Sequence, residues 1–250
     1  MITPRTGIVV WFATLDAVQS AAVLAIWGAR MGNGSPEPVG VSESSSEAAA
    51  RHGERRAAYA LLRLLLAKEV GRECAALPIM RTPGGKPRLA GADIAFNLSR
   101  SGDLLAIGLS GVGPVGIDIE RRRPIKAAPH RQARIVAAGE AIASGRALPV
   151  APEDAEASYL QAWVRLEALA KATGEGIGTL LTRLGIIGGA AQTAAQPGEA
   201  WRIEDLEPGD GLFAALACPR SQGCVTAHWL PADIAAFFAD PHGLRHRPSG

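Results

Sequence analysis

The segment Gly-Ile-Asp-Ile-Glu at residues 116–120 constrains the fold most, because it sets two carboxylates two residues apart between β-branched residues. In an extended strand, residues i and i+2 share a face, so Asp118 and Glu120 project together while the isoleucines point into a core. Neighbouring carboxylates raise each other's pKa unless a cation lies between them, and Mg²⁺ prefers one or two carboxylates plus substrate phosphate oxygens. The segment therefore indicates a metal-binding strand, with an edge strand that has a solvated face as the alternative.

A second informative segment runs from Trp163 to Gly174. It consists of good helix formers and ends at a glycine, where a helix C-cap is expected. Trp163, Glu167 and Lys171 are four residues apart and therefore form one stripe on this helix. Glu167 is a candidate third carboxylate, and Lys171 a cation beside it. The alternative is an ordinary surface Glu-Lys pair, which contributes roughly a few tenths of a kcal/mol.

Two upstream segments carry groups that suit phosphate oxygens. Gly-Gly-Lys-Pro at residues 84–87 is predicted to be a turn, and residues 96–101 are predicted to be a strand end rich in hydrogen-bond donors. Their Lys86, Ser99 and Arg100 offer an ammonium, a hydroxyl and a guanidinium, which all bind phosphate. Each segment taken alone is also common on protein surfaces.

Taken in order, these blocks resemble those of the 4′-phosphopantetheinyl transferases, specifically the larger class typified by the enzymes that activate surfactin synthetase. That family carries Gly-Lys-Pro, then Phe-Asn-x-Ser-His-Ser, then Gly-(Ile/Val)-Asp-(Ile/Val)-Glu, then Trp-x-x-Lys-Glu-Ala-x-x-Lys-x-x-Gly. The corresponding blocks lie at residues 85–87, 96–101, 116–120 and 163–174. Four ordered blocks are far more specific than any one of them.

Two positions depart from the family pattern. Arg100 stands where the family has histidine, and Leu166 stands where it has a lysine before the third carboxylate. Arginine keeps the charge but loses the pH dependence of histidine. The missing lysine removes a cation next to Glu167, with consequences expected for the orientation of that carboxylate and for the choice of carrier protein.

The resemblance implies an α+β fold of two pseudo-symmetric α/β lobes of similar topology, with the active site at their interface. We place the N-terminal lobe, with the coenzyme A contacts, at residues 1–112 and the C-terminal lobe, with the metal site and catalytic helix, at residues 113–239. A disordered tail is expected at residues 240–250.

Periodicity and turn residues predict the individual elements. Strands are expected near residues 7–15, 93–98, 104–110, 181–187, 200–205, 211–217 and 224–230, and helices near 48–69, 131–144 and 156–173.

The resemblance also implies an activity. The 4′-phosphopantetheine group of coenzyme A would be transferred to a serine of an acyl or peptidyl carrier protein, with release of adenosine 3′,5′-bisphosphate. The enzyme would depend on Mg²⁺ held by Asp118, Glu120 and Glu167. Glu167, or a water held by Glu120, would accept the serine proton, and Lys171 would stabilise the leaving phosphate.

Coenzyme A contacts follow from the same resemblance. Lys86 and Pro87 are the candidates for the adenine side of coenzyme A, and Ser99, Arg100 and Lys171 are the candidates for its phosphates. The 3′-phosphate is assigned to Arg51, Arg55 and Arg56. A separate pair, Arg131 and Arg134, is the candidate contact for the acidic carrier protein.

The amino-acid composition limits the classes of partner that this chain is expected to bind. The chain has 250 residues and 48% hydrophobic content, enough for one large domain or two small lobes. A formal net charge of +2 is too small to predict nucleic acid as the main partner, and no apolar stretch is long enough to span a bilayer. Three cysteines without a Cys-x-x-Cys pair are typical of a reduced cytoplasmic chain. We therefore expect a cytoplasmic monomer with no nucleic-acid or membrane partner.

Two other functions remain open at this point. A degenerate relative would bind coenzyme A without transferring any part of it, which the departures at Arg100 and Leu166 motivate. A metal-dependent phosphohydrolase would use the same three carboxylates with water as the attacking group.

Overall fold

A computed structural model describes residues 7–32, 34–38, 46–188, 200–221 and 223–239, without the side chains of residues 17, 18 and 46–51. The expected tail at residues 240–250 lies outside this range. The elements, in chain order, are β1 (Ile8–Thr14), α1 (Ala17–Met31), α2 (Ser46–Glu69), α3 (Arg72–Ala76), β2 (Ile79–Arg81), β3 (Pro87–Leu89), β4 (Ala95–Ser101), β5 (Leu104–Ser110), β6 (Gly116–Arg121), α4 (Pro129–Ile142), α5 (Ala155–Thr173), α6 (Ile177–Arg183), β7 (Trp201–Leu206), β8 (Leu212–Pro219), β9 (Val225–Trp229) and α7 (Ile234–Ala239).

Two sheets organise these elements. The first sheet has the strand order β4-β5-β1-β9, in which β1 is antiparallel to β5 and parallel to β9. The second sheet has the order β6-β8-β7 and is antiparallel throughout, with Asp118 opposite Ala215. A small hairpin of β2 and β3 completes the described strands.

The sheets pack in layers because their strands alternate in side-chain direction. On β1, Trp11 and Ala13 face the first core, which α1 and α2 cover, whereas Val10 and Phe12 face the second sheet. On β8, Ala214 and Leu216 meet that same inter-sheet layer, while Ala215 and Ala217 pack with α4 and α5. Ile117 and Ile119 of β6 lie in the inter-sheet layer, as the carboxylate-strand pattern predicts.

Helix α5 is held at both ends and pressed closely against β6. The Asp154 carboxylate accepts the Ala157 N–H as an N-cap at 3.0 Å, and Gly174 ends the helix with φ 78°. Gly116 permits the close approach, because a Cβ on it would lie 2.0 Å from the Ala168 carbonyl oxygen. A glycine at the start of the carboxylate strand therefore fixes how near α5 comes to that strand.

The mixed α and β composition agrees with the predicted fold class, but two expectations require correction. Residues 181–187 were expected to be a strand, yet α6 ends at Arg183 and turns follow it. Leu180 and Leu181 are adjacent and both buried, which a helix lying against a core accommodates and an alternating strand does not.

The second correction concerns the C-terminal lobe, which was predicted to extend to residue 239. Strand β9 pairs with β1, and Ile234 and Phe238 of α7 join the first core, so residues 225–239 pack with the N-terminal elements. These residues were predicted to belong to the C-terminal lobe because they follow it in the chain. In the structure, β9 instead pairs with the free edge of β1 and so belongs to the first sheet. The pseudo-symmetry of the two lobes stays a prediction.

No described helix is both long and apolar enough to cross a bilayer.

Candidate active site

A cavity of about 930 Å³ lies between α2 and β4 on one side and β6 and α5 on the other. It is therefore lined from both sheets and from the helices that cover them. Its lining residues are Glu54, Arg55, Ala58, Tyr59, Leu98, Ser99, Arg100, Gly102, Asp118, Glu120, Trp163, Glu167 and Lys171. The three predicted carboxylates and the predicted lysine thus share one cavity.

Asp118 is the most buried charged group of this cavity, with 5% of its surface exposed. Its Oδ1 accepts hydrogen bonds from the Ser99 hydroxyl and the Lys171 ammonium, both at 2.6 Å. Its Oδ2 is buried and has no hydrogen-bond partner. Burial raises the pKa of this carboxyl, and the Lys171 charge opposes that rise.

The other two carboxylates differ in their surroundings. Glu120 accepts a hydrogen bond from the Ser101 hydroxyl at 2.7 Å and pairs with Arg123 at 3.3 Å. Burial raises the pKa of Glu167, the Asp118 charge raises it further, and the Lys171 charge opposes both effects. A carboxylate with a raised pKa binds a proton more readily, so Glu167 is suited to accept one.

The chemistry of these groups fits a hard cation, although no cage for one is preformed. Three carboxylates supply oxygen ligands, and the unpartnered Oδ2 of Asp118 is a buried acceptor without a donor. Within the described residues, however, no three His, Cys, Asp or Glu side chains are grouped as a metal site. Assignment of Asp118, Glu120 and Glu167 to one metal ion therefore stays a prediction.

Two predicted phosphate ligands lie on the cavity wall and are already paired. The Arg100 guanidinium binds the Glu54 carboxylate of α2, and Arg55 pairs with Glu37 at 3.3 Å. Ser99, a third predicted ligand, donates to Asp118 and accepts from Lys171 at 2.9 Å. An incoming phosphate would have to compete with protein groups at all three positions.

The structure separates Lys86 and Pro87, the predicted contacts for the adenine side of coenzyme A, from this cavity. Lys86 and Pro87 line a second cavity of about 640 Å³. The Lys86 ammonium donates to the carbonyl oxygens of Val115 at 3.1 Å and Ala172 at 3.0 Å, and burial lowers its pKa to about 8. Lys86 therefore ties the β2-β3 hairpin to the ends of β6 and α5.

The arginine candidates divide in the same way. Arg56 is exposed and does not line the main cavity, in contrast to Arg55 one residue earlier. The Arg51 side chain lies outside the described residues. Arg131 and Arg134, the candidate carrier-binding pair, are both exposed, and the Arg134 guanidinium donates to the carbonyls of Gly185 and Ile186.

Leu166 proves to be a core residue rather than a lost cavity cation. It is fully buried and packs in the core behind α5. Its neighbour Arg165 is also buried and makes a two-pronged ion pair with Asp205 at 2.8 and 2.6 Å. The expected consequence of the missing lysine for the orientation of Glu167 finds no support in these positions.

Sequence reasoning missed several cavity residues. Glu54 and Tyr59 reach the cavity from α2, where residues 54, 55, 58 and 59 form one helical face. This spacing was visible in the sequence, but it did not indicate which face of α2 meets the cavity. Asn97 and Ser101 of β4 do not line the cavity, but their period-two spacing with Ser99 was also missed.

Comparisons with known proteins found one family model and several curated relatives. A protein-family model described as "4′-phosphopantetheinyl transferase superfamily" matches residues 114–206. The 4′-phosphopantetheinyl transferase AcpT of Salmonella typhimurium is 36% identical over 129 residues, which are 51% of this chain and 64% of AcpT. The 4′-phosphopantetheinyl transferase HetI of a Nostoc species is 29% identical over 161 residues, 63% of this chain and 67% of HetI. The match thus spans less than two thirds of the length of AcpT.

Proposed function

We propose that this chain, a member of the 4′-phosphopantetheinyl transferase superfamily, transfers the phosphopantetheine arm of coenzyme A to a serine of an acyl or peptidyl carrier protein. The observation that carries the proposal is the cavity that brings Asp118, Glu120 and Glu167 together with Lys171. Membership of the larger, surfactin-type class stays a prediction.

The proposed reaction is an attack of an alcohol on a phosphorus of the coenzyme A pyrophosphate. A bond forms between the carrier serine oxygen and that phosphorus. The bond from phosphorus to the oxygen of adenosine 3′,5′-bisphosphate breaks, and the serine proton passes to a base. Because little covalent chemistry falls to the protein, its contribution is positioning, charge neutralisation and removal of this proton.

Glu167 is the residue best suited to take the proton. It lies one helical turn before Lys171 on α5 and lines the same cavity. Without a cation in the cavity, burial and the Asp118 charge raise the pKa of Glu167, and its ionised carboxylate can accept a proton from a group that enters the cavity. Proton transfer from the serine to a Glu167 oxygen is therefore the assigned step.

Charge on the pyrophosphate would be neutralised from two sides. Lys171 on α5 and Arg100 on β4 both line the cavity, and each already holds a carboxylate that an anionic ligand would replace or join. Mg²⁺, when bound by Asp118, Glu120 and Glu167, would supply further stabilisation of negative charge on the phosphate oxygens. The orphaned Oδ2 of Asp118 supports this assignment.

The comparisons favour neither alternative function. AcpT and HetI are both named as transferases, and the described cavity offers no feature that singles out water as the attacking group. A coenzyme A-binding protein without activity was motivated by Arg100 and Leu166. Leu166 is now explained by packing, and Arg100 retains a cation on the cavity wall.

Incubation with coenzyme A, Mg²⁺ and a panel of apo carrier proteins, followed by intact-mass measurement, tests the proposal. We expect one carrier to gain the mass of a single phosphopantetheine group. Asp118→Ala should abolish this gain, whereas the matched control Glu207→Ala, at an exposed carboxylate paired with Arg146, should retain it. Coenzyme A binding without mass gain on any carrier would identify the inactive relative, and release of products without a carrier would identify the hydrolase.

A further inference from the structure

Strand β4 carries polar side chains at every second position. Asn97, Ser99 and Ser101 alternate with Phe96, Leu98 and Arg100. Phe96 and Leu98 pack with the first core, and Arg100 lines the cavity beside α2. By the two-residue period of a strand, the polar set lies on the opposite face, towards β6.

The polar set joins two sheet edges without a backbone ladder. Strands β4 and β6 are the outermost strands of their respective sheets. The backbone N–H groups of Ile117, Ile119 and Arg121 point outward from β6. They donate to Asn97 Oδ1 at 2.9 Å, Ser99 Oγ at 3.3 Å and Ser101 Oγ at 3.2 Å, respectively. Side chains thus satisfy the donors that an edge strand normally leaves open.

The two serines do more than accept these bonds. A serine hydroxyl has one proton to donate and two lone pairs that accept. Ser99 donates to Asp118, and Ser101 donates to Glu120 at 2.7 Å. Each serine therefore fixes one β6 amide and the carboxylate of the preceding residue, whereas Asn97 fixes an amide alone.

We propose that Ser101 is a positioning residue for Glu120, through one hydroxyl that both docks the β6 edge onto β4 and orients this carboxylate in the cavity. The inference rests on the proposed function only for its effect on turnover. Docking of β6 at the Arg121 amide and orientation of the Glu120 carboxylate then depend on the same hydroxyl.

Asn97 provides the internal comparison. It makes the same kind of bridge to a β6 amide, but it does not touch a carboxylate of the cavity. A loss of edge docking alone should therefore appear in variants of either residue, whereas a loss of carboxylate orientation should appear only at Ser101.

The test compares Ser101→Ala, Ser101→Thr and Asn97→Ala in the full chain. Mn²⁺ is the cation probe, and its dissociation constant is measured by electron paramagnetic resonance with coenzyme A present. Steady-state turnover gives kcat and KM, and hydrogen exchange of the Arg121 amide reports edge docking. Ser101 is only half-buried, so Ser101→Ala is expected to fold.

We expect Ser101→Ala to weaken Mn²⁺ binding and lower kcat by about tenfold or more, the usual cost of losing a group that orients a metal ligand. Ser101→Thr keeps the hydroxyl and should bind Mn²⁺ nearly as wild type does. Arg121 exchange should be faster in Ser101→Ala. Asn97→Ala should keep the wild-type Mn²⁺ affinity, and if it does not fold, the two Ser101 variants decide the matter.

Three results would overturn the inference. These are wild-type Mn²⁺ affinity and kcat in Ser101→Ala, equal losses of Mn²⁺ affinity in Ser101→Ala and Asn97→Ala, and no Mn²⁺ binding by the wild type. Failure of the proposed function looks different. The wild type would then bind Mn²⁺ and Ser101→Ala would still weaken that binding, but no carrier protein would be modified.

Discussion

Lys171→Ala should destabilise the protein in a pH-dependent way, because Lys171 neutralises a carboxylate that is almost fully buried. The ammonium lies 2.6 Å from Asp118 Oδ1, and 27% of the Lys171 side chain is exposed, against 7% for Asp118. Removing one partner of a buried ion pair costs about 3–5 kcal/mol. Because the ammonium is partly solvated, we expect a loss of about 2–4 kcal/mol in the free energy of unfolding at alkaline pH.

The sign of the pH dependence follows from Asp118. Burial already holds its folded-state pKa above the ordinary value, and Lys171 opposes that rise, so Lys171→Ala raises this pKa further. Above the folded-state pKa, the variant carries an unpaired buried charge and is destabilised. Below the ordinary pKa of aspartate, the carboxyl is protonated in both proteins, and the difference between them shrinks.

Urea unfolding of both proteins at a series of pH values measures this difference. Lys126→Ala, which removes an exposed lysine, is the matched control and should change stability by less than about 0.5 kcal/mol. A loss of stability that is the same at every pH would refute the assigned pairing, because the cost would then not depend on the charge of Asp118.

Two further predictions concern ligand affinity and packing. Arg100→Ala should weaken coenzyme A binding by roughly 1.5–3 kcal/mol at every pH, because one charged hydrogen bond is lost. Glu54→Gln should tighten coenzyme A binding by about 0.2–1 kcal/mol, because Glu54 competes with the ligand for the Arg100 guanidinium. Calorimetric titration measures both affinities, and unchanged values in both variants would place the phosphates elsewhere. Gly116→Ala should lower the melting temperature sharply, because the new Cβ would lie 2.0 Å from a carbonyl oxygen of α5. The control Gly53→Ala on α2 has open space around its Cβ and should stabilise the protein by about 0.5–1 kcal/mol. Equal melting temperatures of the two variants would contradict the close approach of α5 to β6.

Local periodicity predicted the parts of the site that lie within single elements. The alternation around Asp118 placed Ile117 and Ile119 in a core, and the four-residue spacing of Glu167 and Lys171 placed both on one face of a helix. Both patterns depend on backbone geometry that is set within a few residues.

Contacts between distant elements could not be predicted in this way. Glu54 reaches Arg100 across 46 residues, and nothing near either residue indicates the pairing. Lys86 was predicted to contact the adenine side of coenzyme A, and nothing near it in the sequence indicates the two backbone carbonyls that its ammonium binds at a second cavity. The period-two spacing of Asn97, Ser99 and Ser101 was visible, but its partner β6 is known only from the packing of the sheets.

The return of β9 to β1 makes the second sheet and its helices an insertion within the first sheet. The chain completes β1, β4 and β5 early, but their sheet lacks its last strand until residues 225–229 have been made. The ring contacts of Trp11 with His228 and of Phe12 with Trp229 must likewise wait for nearly the whole chain. Closing so long a loop is slow, and it leaves β1 as an uncovered apolar edge during synthesis. A chain that ends before β9 would carry that exposed edge permanently and would be prone to aggregate.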